Sequence, residues 1–315
     1  MARFFKKREK QFGQVPGSLI FIGTQKIDEP EIDVIVYNKE NIEEHNNISL
    51  DQLSDILKND NTCWINFYGI HDTALIAKIG DMFNIHPLAQ EDIVNTAQRA
   101  KFEDFDEFYF LALKMLKYNE KIEKIVTEQL SIFVKGNVLI TFQEDAEDTF
   151  DPVRERLRKD KGRLRSSGAD YLSYVLIDTV IENYVMITER LGEMIENLET
   201  DLIDKTDKEN LRKIENFKRE ISFLAKVLKP AKELILKYVK FMDDDELQWL
   251  QPYIRDMHDL YNHTLESIDA YRELLNDFLQ IYHSNISYRM NDIVKILTIF
   301  SAVFIPMTFL AGVYG

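Results

Sequence analysis

From Pro252 the chain runs without another proline until Pro306 and without a glycine until Gly312. As an α-helix rising about 1.5 Å per residue, this stretch predicts a single rod roughly 90 Å long. A compact domain of this size has no place for such a rod, whereas a stalk that enters a membrane does. The end of the run agrees. Ile296 to Gly315 contains no charged residue and is about as long as a bilayer-crossing helix needs to be. A buried core helix is the plainer alternative. Arg289 and Lys295 precede the segment and nothing basic follows it, which predicts that the N-terminal side lies in the cytoplasm.

The stalk carries a heptad. Ile254, Tyr261, Ile268, Leu275 and Tyr282 repeat every seven residues, with Met257, Thr264, Tyr271, Phe278 and Asn285 at the second position. Such a seam packs against neighbouring helices or against copies of itself. An ordinary amphipathic helix would show a similar stripe.

Glycine divides the rest of the chain. Eight of the 11 glycines precede Ala169, and none occurs from Glu193 to Ala311. The first part reads as a mixed α/β region and the second as long helices. Runs rich in β-formers are Ser18–Ile22, Ile32–Tyr37, Cys63–Phe67, Phe108–Tyr118, Ile125–Val134 and Val138–Phe142. Lys135-Gly136-Asn137 predicts a tight hairpin turn with Gly and Asn at positive φ. Ser49 and Asp72 are placed to cap Leu50–Lys58 and Thr73–Phe83, and Asp151-Pro152 opens a further helix. Two long helices are expected over 169–204 and 207–241, with a polar tip near Thr206 and an acidic one at Asp243–Glu246. The expected organisation is an α+β domain over 1–168, a long helical hairpin over 169–251, a stalk over 252–295 and a membrane helix over 296–315.

Composition removes several functional classes. Asp and Glu total 54 against 39 Lys and Arg, a net charge of −15. Nucleic acid is therefore not an expected partner, because phosphate binding needs basic stripes. An acidic surface raises the local concentration of cations instead. The single cysteine, Cys63, rules out an internal disulfide or a multi-cysteine zinc site. The six histidines form no zinc-spaced cluster, and His71 and His86 read as packing or turn-capping residues. No nucleophile–base pair, Walker loop or dinucleotide fingerprint is present, so an enzyme is not expected.

The membrane segment is not uniformly apolar. At 100° per residue, Asn291, Val294, Thr298, Ser301, Ile305, Thr308, Gly312 and Gly315 share one stripe, with Leu297 at its edge. Ile299, Phe300, Val303, Phe304, Phe309 and Leu310 occupy the other faces. Hydroxyls in hydrocarbon need partners, so this stripe is expected to face other helices or water. Helix packing through small residues accounts for it as well. A ring of identical helices satisfies both readings. Its hydroxyls and amide would meet a hydrated ion, and Leu297, Ile305 and Val294 would form apolar constrictions. No carboxylate follows Asp292, so the stripe offers neutral dipoles to a water-coated ion. That suits Mg²⁺, which gives up its water reluctantly.

The terminal run Pro306-Met307-Thr308-Phe309-Leu310-Ala311-Gly312-Val313-Tyr314-Gly315 resembles the end of the first transmembrane helix of the CorA family of magnesium transporters. Further segments resemble that family in the same order: Trp64-Ile65-Asn66, Gly69-Ile70-His71, Ile85-His86-Pro87-Leu88, Glu91-Asp92-Ile93, Phe150 to Arg156, Ala169 to Leu172 and Tyr253 to Asp256. The family run continues Tyr-Gly-Met-Asn, so the expectation is a piece cut at Gly315. The Met, the Asn, an outer loop, a second membrane helix and a basic tail would follow in the natural protein.

The resemblance implies an αβα cytosolic sandwich, long helices, and a very long stalk helix that becomes the first transmembrane helix of a pentameric funnel. It implies a homopentamer in the cytoplasmic membrane, multi-pass when complete. It implies uptake of Mg²⁺, with Co²⁺ and Ni²⁺ also passing, and gating by intracellular Mg²⁺ bound between cytosolic domains. By the same resemblance Asp92 would face Asp256 of a neighbouring subunit, and Glu91, Asp178 and Asp259 would form a second site. Taken alone, these acids read as solvated or helix-capping residues. A zinc-transporting branch of the family and a non-conducting, membrane-anchored cation sensor are the competing readings.

Overall fold

Seven strands form one sheet in the order β2-β1-β3-β7-β6-β5-β4. In the computed structural model, which describes residues 13–58, 60–204, 207–242 and 245–315, these are β1 (Glu31–Tyr37), β2 (Ile42–His45), β3 (Thr62–Tyr68), β4 (Lys101–Asp104), β5 (Tyr109–Asn119), β6 (Lys124–Lys135) and β7 (Val138–Gln143). Only β3 and β7 pair in parallel; every other neighbouring pair is antiparallel. The helices are α1 (Leu50–Ile56), α2 (Thr73–Phe83), α3 (Pro87–Ile93), α4 (Asp151–Arg158), α5 (Gly168–Asp204), α6 (Lys208–Phe241) and α7 (Gln251–Tyr314). Thr206 at the expected polar tip, and Asp243 and Asp244 of the acidic tip, lie outside the described residues, while Asp245–Leu250 form a 3-10 helix.

Local chemistry accounts for the boundaries. Ser49 and Gln52 form a reciprocal capping box on α1, and Asp72 accepts from the amides of Ala74 and Leu75 to start α2. The β6–β7 turn is two residues long, with Lys135 opposite Val138. Gly136 is left-handed at φ 55°, but Asn137 is not among the positive-φ residues, so the turn needs one left-handed position and not the expected two.

The period-2 alternation of the strands feeds two cores. On one face Val34, Ile65, Phe110, Phe133 and Ile140 pack with Leu53 of α1, Ile76 and Ile79 of α2, and Ala89 and Ile93 of α3. On the other, Trp64 meets Phe150 edge-on at 6.0 Å, and the Tyr109 hydroxyl lies 2.7 Å from Ser173 of α5 and 3.0 Å from Asp170. Tyr238 of α6 joins this side 2.9 Å from Ser173. Helices therefore cover both faces of the sheet, the αβα arrangement.

Three further features differ from the sequence reading. Ser18–Ile22 forms no strand: Ile22 makes a single bridge to Asn95, while Leu19 and Phe21 pack on the core. Apolar composition there serves packing. Conversely β2 and β4, unmarked in the sequence, are the two sheet edges. Their sequences, Ile-Glu-Glu-His and Lys-Phe-Glu-Asp, carry the charges that protect an edge from further pairing.

Residues up to Thr188 together with Phe223–Glu266 form one compact unit, and Glu189–Ser222 with Ser267–Gly315 form a second. In both, the heptad side of α7 is covered by the chain itself. In the first unit Ile254, Met257 and Tyr261 are buried, and the Tyr261 hydroxyl donates to the Leu228 carbonyl. In the second Ile268, Leu275 and Phe278 are buried, and a Cβ on Gly192 would overlap the Tyr271 ring. Of the partners expected for the seam, the structure supplies neighbouring helices of the same chain.

Where the β6–β7 ladder ends, side chains extend it. Glu144 accepts from the Gln129 amide at 2.7 Å, and Glu128 accepts from the amides of Glu144 and Asp145, both at 2.9 Å. Lys26 lies 3.6–3.8 Å from Glu128, Glu144 and Asp145. Burial still pushes the Glu128 carboxyl up to about 7, from an ordinary 4.5, despite Lys26. Because the folded state holds this proton more tightly, the stability contribution falls as pH rises from about 4.5 to about 7. The loss is at most about 3 kcal/mol. Glu128→Gln keeps an oxygen for both amides and removes the charge. Its apparent Tm is expected to exceed wild type by several degrees at pH 8 and to match it at pH 4.5, read by thermal unfolding at both pH values.

Candidate cation sites and the exposed helix

Asp92 and Glu91 sit on α3, a seven-residue helix fixed at both ends. Asn84, left-handed at φ 56°, ends α2, and His86 Nδ1 accepts from the Leu88 amide at 3.2 Å to cap α3. Pro87 occupies the first turn. His86 also stacks on Phe105 at 5.2 Å, the packing and capping role expected for it. Gly80 allows α2 to approach, since a Cβ there would overlap the Gln90 amide.

The two acids differ in what they touch. The Gly17 amide donates to Glu91 Oε2 at 2.6 Å, so Glu91 tethers the segment before β1. Asp92 is largely buried, its side chain 13% exposed, and it forms an ion pair with Lys101 of β4. Burial raises the Asp92 carboxyl above its usual range, and Lys101 opposes that rise. Lys101 also lies 3.0 Å from Glu103.

A second group forms between α5 and α7. Asp178 accepts a hydrogen bond from Tyr174, and its carboxyl is pushed up to about 6 by burial first, with the negative charges of Glu182 and Asp256 adding to the rise. Tyr174 is held above its usual range by burial and by the same two aspartates, Asp178 and Asp256. Asp256 is exposed on the first turns of α7. Asp259, also exposed, lies 3.6 Å from His258 Nδ1. Asp178 and Asp256 thus come together within one chain, whereas Asp92 has Lys101, Glu103 and Glu91 as its charged neighbours. Among the described residues no three His, Cys, Asp or Glu side chains of a single chain converge on one point that could hold a metal. Sequence inspection missed Lys101, whose place beside Asp92 depends on the edge strand that no periodicity announced.

The C-terminal half of α7 offers the other candidate. From His283 onward its residues are exposed apart from Asn285 and Ser301, which are half-buried. Ile293, Ile296, Phe300, Phe304 and Leu310 are among the large apolar side chains left uncovered. The helix Gln248–Tyr314 is the one, among the described residues, long and apolar enough to cross a membrane, and its most apolar window has mean hydropathy 2.2 with no share buried. An apolar surface of this extent requires lipid or protein around it. Asn291, Val294, Leu297, Thr298, Ile305, Thr308, Gly312 and Gly315 are all exposed along it. Two hydroxyls have found partners that the sequence reading did not assign: Thr298 donates to the Val294 carbonyl and Thr308 to the Phe304 carbonyl, each at 2.8 Å. Back-bonding of this kind uses the proton and leaves the oxygen lone pairs facing outward.

Comparison with known proteins agrees with this architecture. The family model described as CorA-like Mg²⁺ transporter protein matches residues 59–315. The chain is 33% identical over 310 residues to the cobalt/magnesium transport protein CorA of Thermotoga maritima, a match covering 98% of this chain and 88% of that protein. It is 25% identical over 260 residues to the cobalt/magnesium transport protein CorA of Methanocaldococcus jannaschii, covering 80% and 78%. The complete structure of the CorA magnesium transporter from Methanocaldococcus jannaschii superposes with a TM-score of 0.73 at 21% identity, over 90% of this chain and 86% of that one. With the family model spanning most of the sequence and the αβα sheet and membrane-length helix in place, the chain belongs to the family of CorA-like Mg²⁺ transporters.

Proposed function

We propose that this protein carries Mg²⁺ passively into the cell, driven by the membrane potential, through a pore lined by α7 from five identical subunits. Co²⁺ and Ni²⁺ share the path. The observation that carries this reading is the aligned polar stripe on an exposed, uncharged segment of α7. Asn291, Thr298, Ser301 and Thr308 present neutral oxygens to the shell of a hydrated cation, and Val294, Leu297 and Ile305 narrow the water column. Because Thr298 and Thr308 spend their protons inside the helix, their oxygens are acceptors for the ion's water. On this reading the N-terminal sheet lies in the cytoplasm.

The same reading assigns regulation to the acidic groups. Asp92 of one subunit and Asp256 of its neighbour would hold one Mg²⁺ between cytosolic domains, and Glu91, Asp178 and Asp259 would hold a second. The donor set fits that ion, since every side chain supplies hard carboxylate oxygen and the Asp178–Asp256 group has an excess of negative charge. Bound there, Mg²⁺ offsets repulsion between subunits; without it, the carboxylates of one subunit repel those of its neighbour and favour separation.

The test is Mg²⁺ uptake by the full-length protein in liposomes. An inside-negative potential should drive influx, and Asn291→Ala and Thr308→Ala should each change its rate severalfold. No influx, or wild-type influx in both variants, contradicts the reading. Zn²⁺ influx without Mg²⁺ influx would place the protein with the zinc-transporting branch.

A further inference from the structure

Asp92 already has a cation within its own chain. Lys101 opens the edge strand β4 and sets its ammonium on Asp92 Oδ2, with Glu103 3.0 Å away. The ammonium also lies over the Phe110 ring, 6.0 Å from its centroid. With Lys101 23% and Asp92 13% exposed, solvent screens this pair weakly. We propose that Lys101 is a tethered counter-ion that competes with Mg²⁺ for Asp92 and thereby sets the Mg²⁺ concentration at which the regulatory site fills. The inference rests on the assignment of Asp92 made above.

Charge and side-chain chemistry both support competition. Asp92 feels the negative charges of Glu103 and Glu91 as well as the positive charge of Lys101. One ammonium among three carboxylates leaves net negative charge, so a divalent cation is still attracted. Yet the ion and the ammonium repel when both sit at one carboxylate. Filling the site therefore requires Lys101 to withdraw. A lysine suits that role: its compact charge rides on a flexible four-carbon stem, whereas an arginine fork would lock onto the carboxylate in two places. A tethered competitor is present at a fixed effective concentration whatever the ionic conditions, as a threshold requires. Were Lys101 only a structural partner for a buried acid, its removal would destabilise the fold and leave Mg²⁺ affinity unchanged or weakened.

Limited proteolysis of the full-length protein in detergent across a Mg²⁺ titration at pH 8 separates these outcomes. In Lys101→Met the midpoint of Mg²⁺ protection should fall about tenfold, and in Lys101→Arg it should stay at or above wild type. Lys101→Gln replaces the Met variant if that protein fails to fold by circular dichroism, and the same fall is expected. A midpoint unchanged or raised in the folded, uncharged variant overturns the inference. Asp92→Ala tells the two assignments apart. If it raises the midpoint while Lys101→Met does not move it, only the counter-ion role is lost. If Asp92→Ala leaves the midpoint in place, the regulatory assignment of Asp92 fails and this inference with it.

Discussion

Asp148→Ala is expected to lower the apparent Tm by roughly 6–20 °C, from a loss of about 3–5 kcal/mol. The Asp148 side chain is 1% exposed and grips the Arg154 side chain, itself 12% exposed, through two bonds of 2.6 and 2.8 Å. The guanidinium also donates to Tyr68 at 3.2 Å and to Asn66 at 3.3 Å, and lies 5.2 Å from the Trp64 ring centroid. Asp148 in turn accepts from the Phe150 amide at 2.8 Å, fixing the entry to α4. Without Asp148, a buried cation keeps only the exposed carboxylate of Asp151 at 3.1 Å. The penalty is that of the orphaned charge more than of the lost attraction. Asp148→Ala combined with Arg154→Met should therefore recover part of the stability lost in the single variant. Thermal unfolding of wild type, the single variant and the double variant checks this. A double variant less stable than the single one would show that the pair acts mainly through its attraction.

The parts of the fold legible in the sequence are those fixed by local chemistry. Ser49 and Asp72 cap where their side chains allow, and Thr73–Phe83 was bounded correctly at both ends. The long helix was legible because neither Pro nor Gly interrupts it before Pro306. The edges were not. The charged β2 and β4 follow no apolar period, because an edge strand is selected against further pairing and not for burial. Ser18–Ile22 misled for the opposite reason, its apolar residues packing on the core without a ladder.

The candidate sites divide in the same way. The α7 stripe follows from helical period alone, and all its members but Gly315, one residue past the end, lie on one continuous helix. The setting of Asp92 depends on Lys101 across the fold, a pairing no spacing encodes. The proximity of Asp178 and Asp256, residues on different helices, likewise required three dimensions. The hydroxyls of Thr298 and Thr308 were expected to look outside the helix for a donor's partner, and the backbone carbonyl four residues back proved sufficient.

That the stripe of α7 faces water while its other sides face lipid is open to a direct measurement. Cys63 is buried and is the sole cysteine of residues 1–315, so Cys63→Ala, with any cysteine after Gly315 also replaced, gives the background for single cysteines placed at Ser301, Thr308, Phe300 and Phe309. A thiol reacts as its thiolate, which forms readily in water and hardly at all in hydrocarbon. In the full-length protein in membranes, a charged thiosulfonate reagent should modify positions 301 and 308 about a hundredfold faster than positions 300 and 309. Equal rates at all four positions, or faster modification at 300 and 309, would contradict a pore lined by this face.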